Sequence, residues 1–172
     1  MSYQRPQAGT NPSNALFPRG VYTVHPTKST LGTSQKTGAP MLTIEVEVLA
    51  PEVVTDGNGV QVKTAGRKGT MYIVGTEKNL VNLVDLAAVT LGLPLPPQAP
   101  TLEDDILAIL RTIEGALTPA NVFLMNLSAS RDSLVDPVTQ QPVLDNNGQP
   151  IMGRERIDFN SFAILPNTLR GL

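Results

Sequence analysis

Between Met41 and Leu49 the chain alternates without a break: Leu42, Ile44, Val46 and Val48 are apolar, and Thr43, Glu45 and Glu47 between them are polar. Successive side chains of a strand point to opposite faces, so this pattern is satisfied by a strand with one face buried and the other wet. A helix would scatter the same apolar residues around its circumference. The fold must therefore supply a half-buried sheet, which is the habit of antiparallel rather than parallel sheets.

Other segments repeat that signal around it. Val21, Tyr22, Thr23 and Val24 open a strand predicted over Val21 to Lys28, followed by a polar loop from Gly32 to Pro40. Asp56-Gly57-Asn58-Gly59 supplies residues that tolerate positive φ and folds Glu52 to Lys63 back as a hairpin. Gly66-Arg67-Lys68-Gly69 reads as a loop leading into a third main strand, Thr70 to Val74. The period then changes. Leu80, Leu83, Val84, Ala87, Ala88 and Leu91 recur at helical spacing after Thr76 as a cap, and Gly92 with Pro94 ends the helix. A second helix starts at Thr101, with Glu103, Asp104 and Asp105 in the turn where the helix dipole favours negative charge, and with Ile106, Ile109, Leu110 and Ile113 on its core face.

Strands are predicted again over Ala120 to Ala129 and Arg156 to Leu165, separated by a polar excursion that turns at Asn146-Asn147-Gly148, and no internal repeat stands out. The expected fold is mainly β: a five-stranded OB-type barrel with a two-helix insert between its third and fourth strands and long hairpin arms at about 50–66 and 131–153. Residues 1–18, with Pro6, Gly9, Asn11 and Pro12 before Pro18, read as a flexible N-terminal arm, and 19–172 as one OB-like domain. A chain of 172 residues is about one domain's worth of polypeptide.

Composition narrows the chemistry. Without Cys there is no disulfide, thiolate metal site or thiol nucleophile, which fits a reducing, cytoplasmic setting. No signal-peptide-like or membrane-spanning run is present in the sequence, so no membrane partner is expected. Net charge is -2, but Glu77 to Glu114 holds six acids against Lys78 and Arg111, which leaves the remainder of the chain mildly positive.

The stretches Phe17-Pro18-Arg19-Gly20-Val21-Tyr22-Thr23-Val24, Lys36-Thr37-Gly38-Ala39-Pro40 running into Met41 to Val48, Gly66-Arg67-Lys68-Gly69, and Asp158-Phe159-Asn160-Ser161-Phe162 before Pro166 carry a resemblance. Over about half its length the chain resembles the small OB-fold proteins that bacteriophages encode as single-stranded DNA-binding or recombination-associated factors. The resemblance implies a protein that coats or handles displaced strands during phage replication.

Catalytic constellations are not expected. His25 is the only His and has no acid within four positions, so it reads as structural; Glu103-Asp104-Asp105 splay around a helix and read as helix-start chemistry. Glu45 and Glu47 share a wet strand face, where they oppose a phosphate backbone laid across it. No metal, cofactor or small-molecule substrate is expected. Gly66 to Gly69 is the best functional candidate, with Arg67 and Lys68 as phosphate partners and Tyr72 as a base-stacking ring on the adjoining strand; Phe123, Phe159 and Phe162 are further platforms, most of them expected in the core.

The expected function is non-catalytic, sequence-tolerant binding of single-stranded DNA or RNA, with Arg19, Lys28, Lys36, Lys63, Arg67, Lys68, Arg131, Arg154 and Arg156 tracking the backbone and Tyr72 stacking. The alternative is a phage structural or assembly protein that forms homo-oligomers through its N-terminal arm and hairpin arms.

Overall fold

The computed structural model describes residues 16–172. Most of the N-terminal arm expected over 1–18 lies outside them, but its end is not an arm at all. Phe17 is 2% exposed and its ring lies 4.5 Å from that of Tyr22, inside the core.

Strand β1 (Gly20–Thr33) continues past the predicted end at Lys28. It crosses Pro26, which has no N–H to give to a ladder, by a shift of register between Pro26 and Lys28. β2 (Pro40–Ala50) is the alternating segment, and Leu42, Ile44, Val46 and Val48 are all buried as its pattern requires. β3 (Val53–Thr55) and β4 (Gln61–Lys63) form the first hairpin. β5 (Lys68–Val74) begins two residues earlier than predicted, so only Gly66, at φ 86°, and Arg67 remain of the expected loop.

Gly69 is a strand residue instead, and its hydrogen faces the Phe159 ring: a Cβ there would lie 2.2 Å from ring carbons. Gly75 likewise admits α2, since a Cβ would meet Ile106 at 2.4 Å. α1 (Leu80–Asp85) widens into a π turn over Leu86–Thr90 and stops at Gly92, φ 65°. Thr76 makes no side-chain cap there; its carbonyl accepts the Asn79 amide. In α2 (Leu102–Ala116) the Thr101 hydroxyl accepts the Asp104 N–H, as expected, and Ile106, Ile109, Leu110 and Ile113 are buried.

β6 (Asn121–Leu127) returns to pair with the first residues of β1. β7 (Ala129–Ser133) and β8 (Met152–Ile157) pair with each other as the base of the second arm. β9 (Arg170–Gly171) is a short terminal addition to β6. The main sheet is antiparallel in the order β5-β2-β1-β6-β9 and is not closed into a barrel. The strand expected over Arg156 to Leu165 does not form. Its first residues belong to β8, the Asn160 side chain accepts the Phe162 amide to turn the chain over Ser161–Ala163, and only Ile164 bridges back to Met125. One apolar cluster joins the inner face of the sheet to both helices.

The second arm contains a repeat that the sequence reading missed. Asp136 to Gln141 and Asp145 to Gln149 are closed alike: the Asp amide donates to the Gln carbonyl, the Asp carboxylate collects amides inside the turn, and Pro follows the Gln. Among the described residues no helix is long and apolar enough to cross a membrane.

Candidate nucleic-acid interface

β5 is an edge strand, with β2 on one side only. Along its other side runs a groove of about 850 Å³, walled by β5 and Asn79 on one flank and by residues 128–130 and 155–162 on the other. Alternation along β5 decides what enters it. Met71 and Ile73 point into the core, which leaves Lys68, Thr70 and Tyr72 on the outer face at the groove's wall. Tyr72 is 58% exposed. From the other wall Phe162, lifted outward by the Asn160 turn, is 62% exposed. Large rings are usually withdrawn from water, so two left open in the lining of one groove offer it flat apolar surface.

The cations divide. Lys68 and Arg156 line the groove. Arg156 lies 3.6 Å from Asp132 in a largely exposed pair, the kind that holds little energy and exchanges readily for another anion. Arg67 does something else: its guanidinium pairs with Glu155 and lies 5.6 Å from the Phe17 ring centroid, while the other Glu155 oxygen accepts the Phe17 amide. Glu155 is 12% exposed on its side chain, so its charge is satisfied within the protein. The Arg67-Lys68 dyad is thus split, with Arg67 holding the N-terminal strap and β8 together and Lys68 facing outward.

The sheet's outer face carries cross-strand rows. Glu47 sits between His25 and Lys68, and Glu45 between Lys28 and Thr70. His25 Nε2 is 3.8 Å from the Glu47 carboxylate, a partner supplied by the neighbouring strand and invisible to local sequence spacing. The two acids expected to oppose phosphate are therefore each flanked by a basic side chain. Burial pushes the pKa of the Tyr22 phenol upward, so it remains a proton donor to the Pro18 carbonyl.

Of the ten residues singled out from sequence, Lys68, Tyr72 and Arg156 meet in the groove. Lys28 is exposed on the same sheet face, two strands away. Arg131 is half-buried on β7, opposite Glu155 in register. Arg154 is exposed on β8. Arg19 precedes β1, Lys36 lies in the turn after it and Lys63 ends β4, all exposed and none of them lining the groove. Phe123 and Phe159 are in the core. Phe162 adds the groove's second open ring; its signal was the Asn160-Ser161-Phe162 turn, which breaks the strand expected there.

No protein-family model matches the chain, and a comparison with curated proteins gives no match either. Function is argued from the groove itself. Among the described residues no three potential metal ligands of the His, Cys, Asp or Glu type converge. The groove offers exposed rings, the exposed cations Lys68 and Arg156, and an open strand edge; of the two acids in its lining, Glu155 is paired with Arg67 and Asp158 is exposed, so rings and edge, more than net charge, suit it to the bases of a flexible strand.

Proposed function

We propose that this chain is a non-catalytic, sequence-tolerant single-stranded DNA-binding protein that serves phage DNA replication or recombination. The observation that carries the reading is that Tyr72 and Phe162 are both open to solvent in the lining of one groove that also holds Lys68 and Arg156. Unpaired bases stack on such rings for about 1–3 kcal/mol each, and every base has a face to stack, which is why sequence matters little. Duplex DNA keeps its bases stacked on each other and cannot use the rings.

The sheet supports an OB-type reading with the barrel left open. β1 is long and shared between β2 and β6, β5 pairs with β2, and the helices lie between β5 and β6, the order of the first four strands and the helix in that fold. In OB folds the second and third strands, with the loop between the fourth and fifth, form the binding face. On that reading β2 and β5 would supply the binding face, with the β7–β8 arm beside it in place of the last loop. Titration of a labelled single-stranded oligonucleotide at two salt concentrations tests the reading: binding that weakens as salt rises supports it, and no binding in low salt refutes it.

A second reading, assembly into homo-oligomers, rests on the tip of the β7–β8 arm. Leu134, Val135, Val143, Leu144 and Ile151 are exposed there, and Val138 is 88% exposed. This apolar surface adds nothing to the core and supports self-association alongside DNA binding.

A further inference from the structure

Backbone groups on the open edge of β5 carry the inference furthest. In an antiparallel pair, alternate residues turn both N–H and C=O toward the partner strand. At one end of the β5–β2 ladder the Gly75 amide donates to the Pro40 carbonyl, and at the other the Val48 amide donates to the Arg67 carbonyl. With the continuous register between them, the odd-numbered residues of β5 face β2 and the even-numbered ones face the groove. The Val74 carbonyl agrees, since it turns away from β2 to accept the Asn79 side-chain amide. At the opposite end the Phe159 ring lies against Gly69. Thr70 and Tyr72 remain between these covers, and among the described residues no group bonds to their outward N–H and C=O.

We infer that the Thr70 carbonyl and the Tyr72 amide hydrogen-bond the Watson–Crick edge of one unpaired base, deepening the single-stranded DNA reading on which this inference rests. A carbonyl at one residue and an N–H two residues on, both on the same strand edge, present an acceptor beside a donor. Each of the four bases carries a donor beside an acceptor on its Watson–Crick edge, so each can meet this pair in one orientation, and sequence tolerance follows. Phosphate would suit the amide but be repelled by the carbonyl. An extended peptide would find only two open residues, too short a ladder for strand addition, whereas one base needs no more. Bases within a duplex have these edges occupied, so the edge adds a second ground for rejecting double strands.

The experiment compares a short oligothymidylate with an oligomer of the same length made of N3-methylthymidine, which keeps the backbone charge and the stacking face but blocks the edge. The methylated strand is expected to bind at least about tenfold more weakly, because a donor is lost and the Thr70 carbonyl is left unpaired. Tyr72→Leu, which retains the amide, should keep that gap. Tyr72→Pro, which removes an N–H that serves no ladder bond, should narrow it. Equal binding of the two oligomers by wild-type protein overturns the inference while leaving stacking intact. Absence of oligothymidylate binding in low salt overturns the DNA reading and the inference together. The wild-type comparison stands even if Tyr72→Pro fails to fold.

Discussion

Glu155 on β8 holds Arg67 on one carboxylate oxygen and the Phe17 backbone amide on the other. Residues 88 positions apart in sequence thus share one charge-assisted contact that ties the strap before β1, the entry to β5 and the base of the second arm together. The base of the arm is one wall of the groove and Glu155 is part of that wall, so this contact helps set the groove's shape while Arg67 itself stays out of the lining.

Arg67→Ala is therefore expected to act on stability. Removing it leaves the mostly buried Glu155 carboxylate short of its partner, for a loss of about 1–3 kcal/mol, moderated by solvent reaching the Arg67 side. Urea denaturation measures this, and the slope of binding against salt should remain near wild type. A stable Arg67→Ala protein with a reduced salt slope would place Arg67 on the DNA instead.

Lys68→Ala and Arg156→Ala are expected to behave in the opposite way. Each should fold with near wild-type stability and lower the log–log salt slope by about one unit, weakening all sequences alike. Lys36→Ala and Lys63→Ala, remote from the groove, serve as controls that leave the slope unchanged. Controls that lower it as much as Lys68→Ala would move the binding face elsewhere.

Much of this was legible in the sequence, and what was not has a common cause. Period-2 alternation fixed β2, and the 3.6-residue spacing with its Thr101 cap fixed α2, because both signals are local and each element buries one face. The parity of Tyr72 with Met71 and Ile73 allows an outward ring as readily as a packed one, and the structure leaves it 58% exposed on the edge strand. The failures lie where distant segments decide. Arg67 looked equivalent to Lys68 because Glu155, its partner, is remote in the chain. Gly69 looked like a turn residue because the Phe159 ring it accommodates arrives from the far end of the fold. The last strand was expected to continue past Asp158 since its residues suit a strand, but the Asn160 cap outweighs that preference and exposes Phe162.

Gly69→Ala tests the packing that covers one end of the β5 edge. The added methyl group overlaps the Phe159 ring, so the ring must move, at a cost of about 1–3 kcal/mol. Combined with Phe159→Ala the two changes should be strongly non-additive in thermal unfolding, since the collision disappears with the ring. Additive losses would show that the ring and the glycine do not meet.

Replacing residues 134–151 by a short turn removes the apolar tip of the arm. Its large apolar side chains are exposed, so the thermal transition of the core should change little, while any self-association seen by light scattering should fall. A large loss of stability with unchanged mass would show that the tip serves the fold and not assembly.

The most direct test of the central claim is photocrosslinking of a halogenated single-stranded oligonucleotide to the wild-type protein in low salt, with the attached peptides identified by mass spectrometry. The account predicts attachment at Tyr72 and Phe162, abolished by excess unlabelled single strand and not by duplex. Attachment confined to the turn at Lys36 or to the β3–β4 hairpin, or no attachment at all, would contradict it.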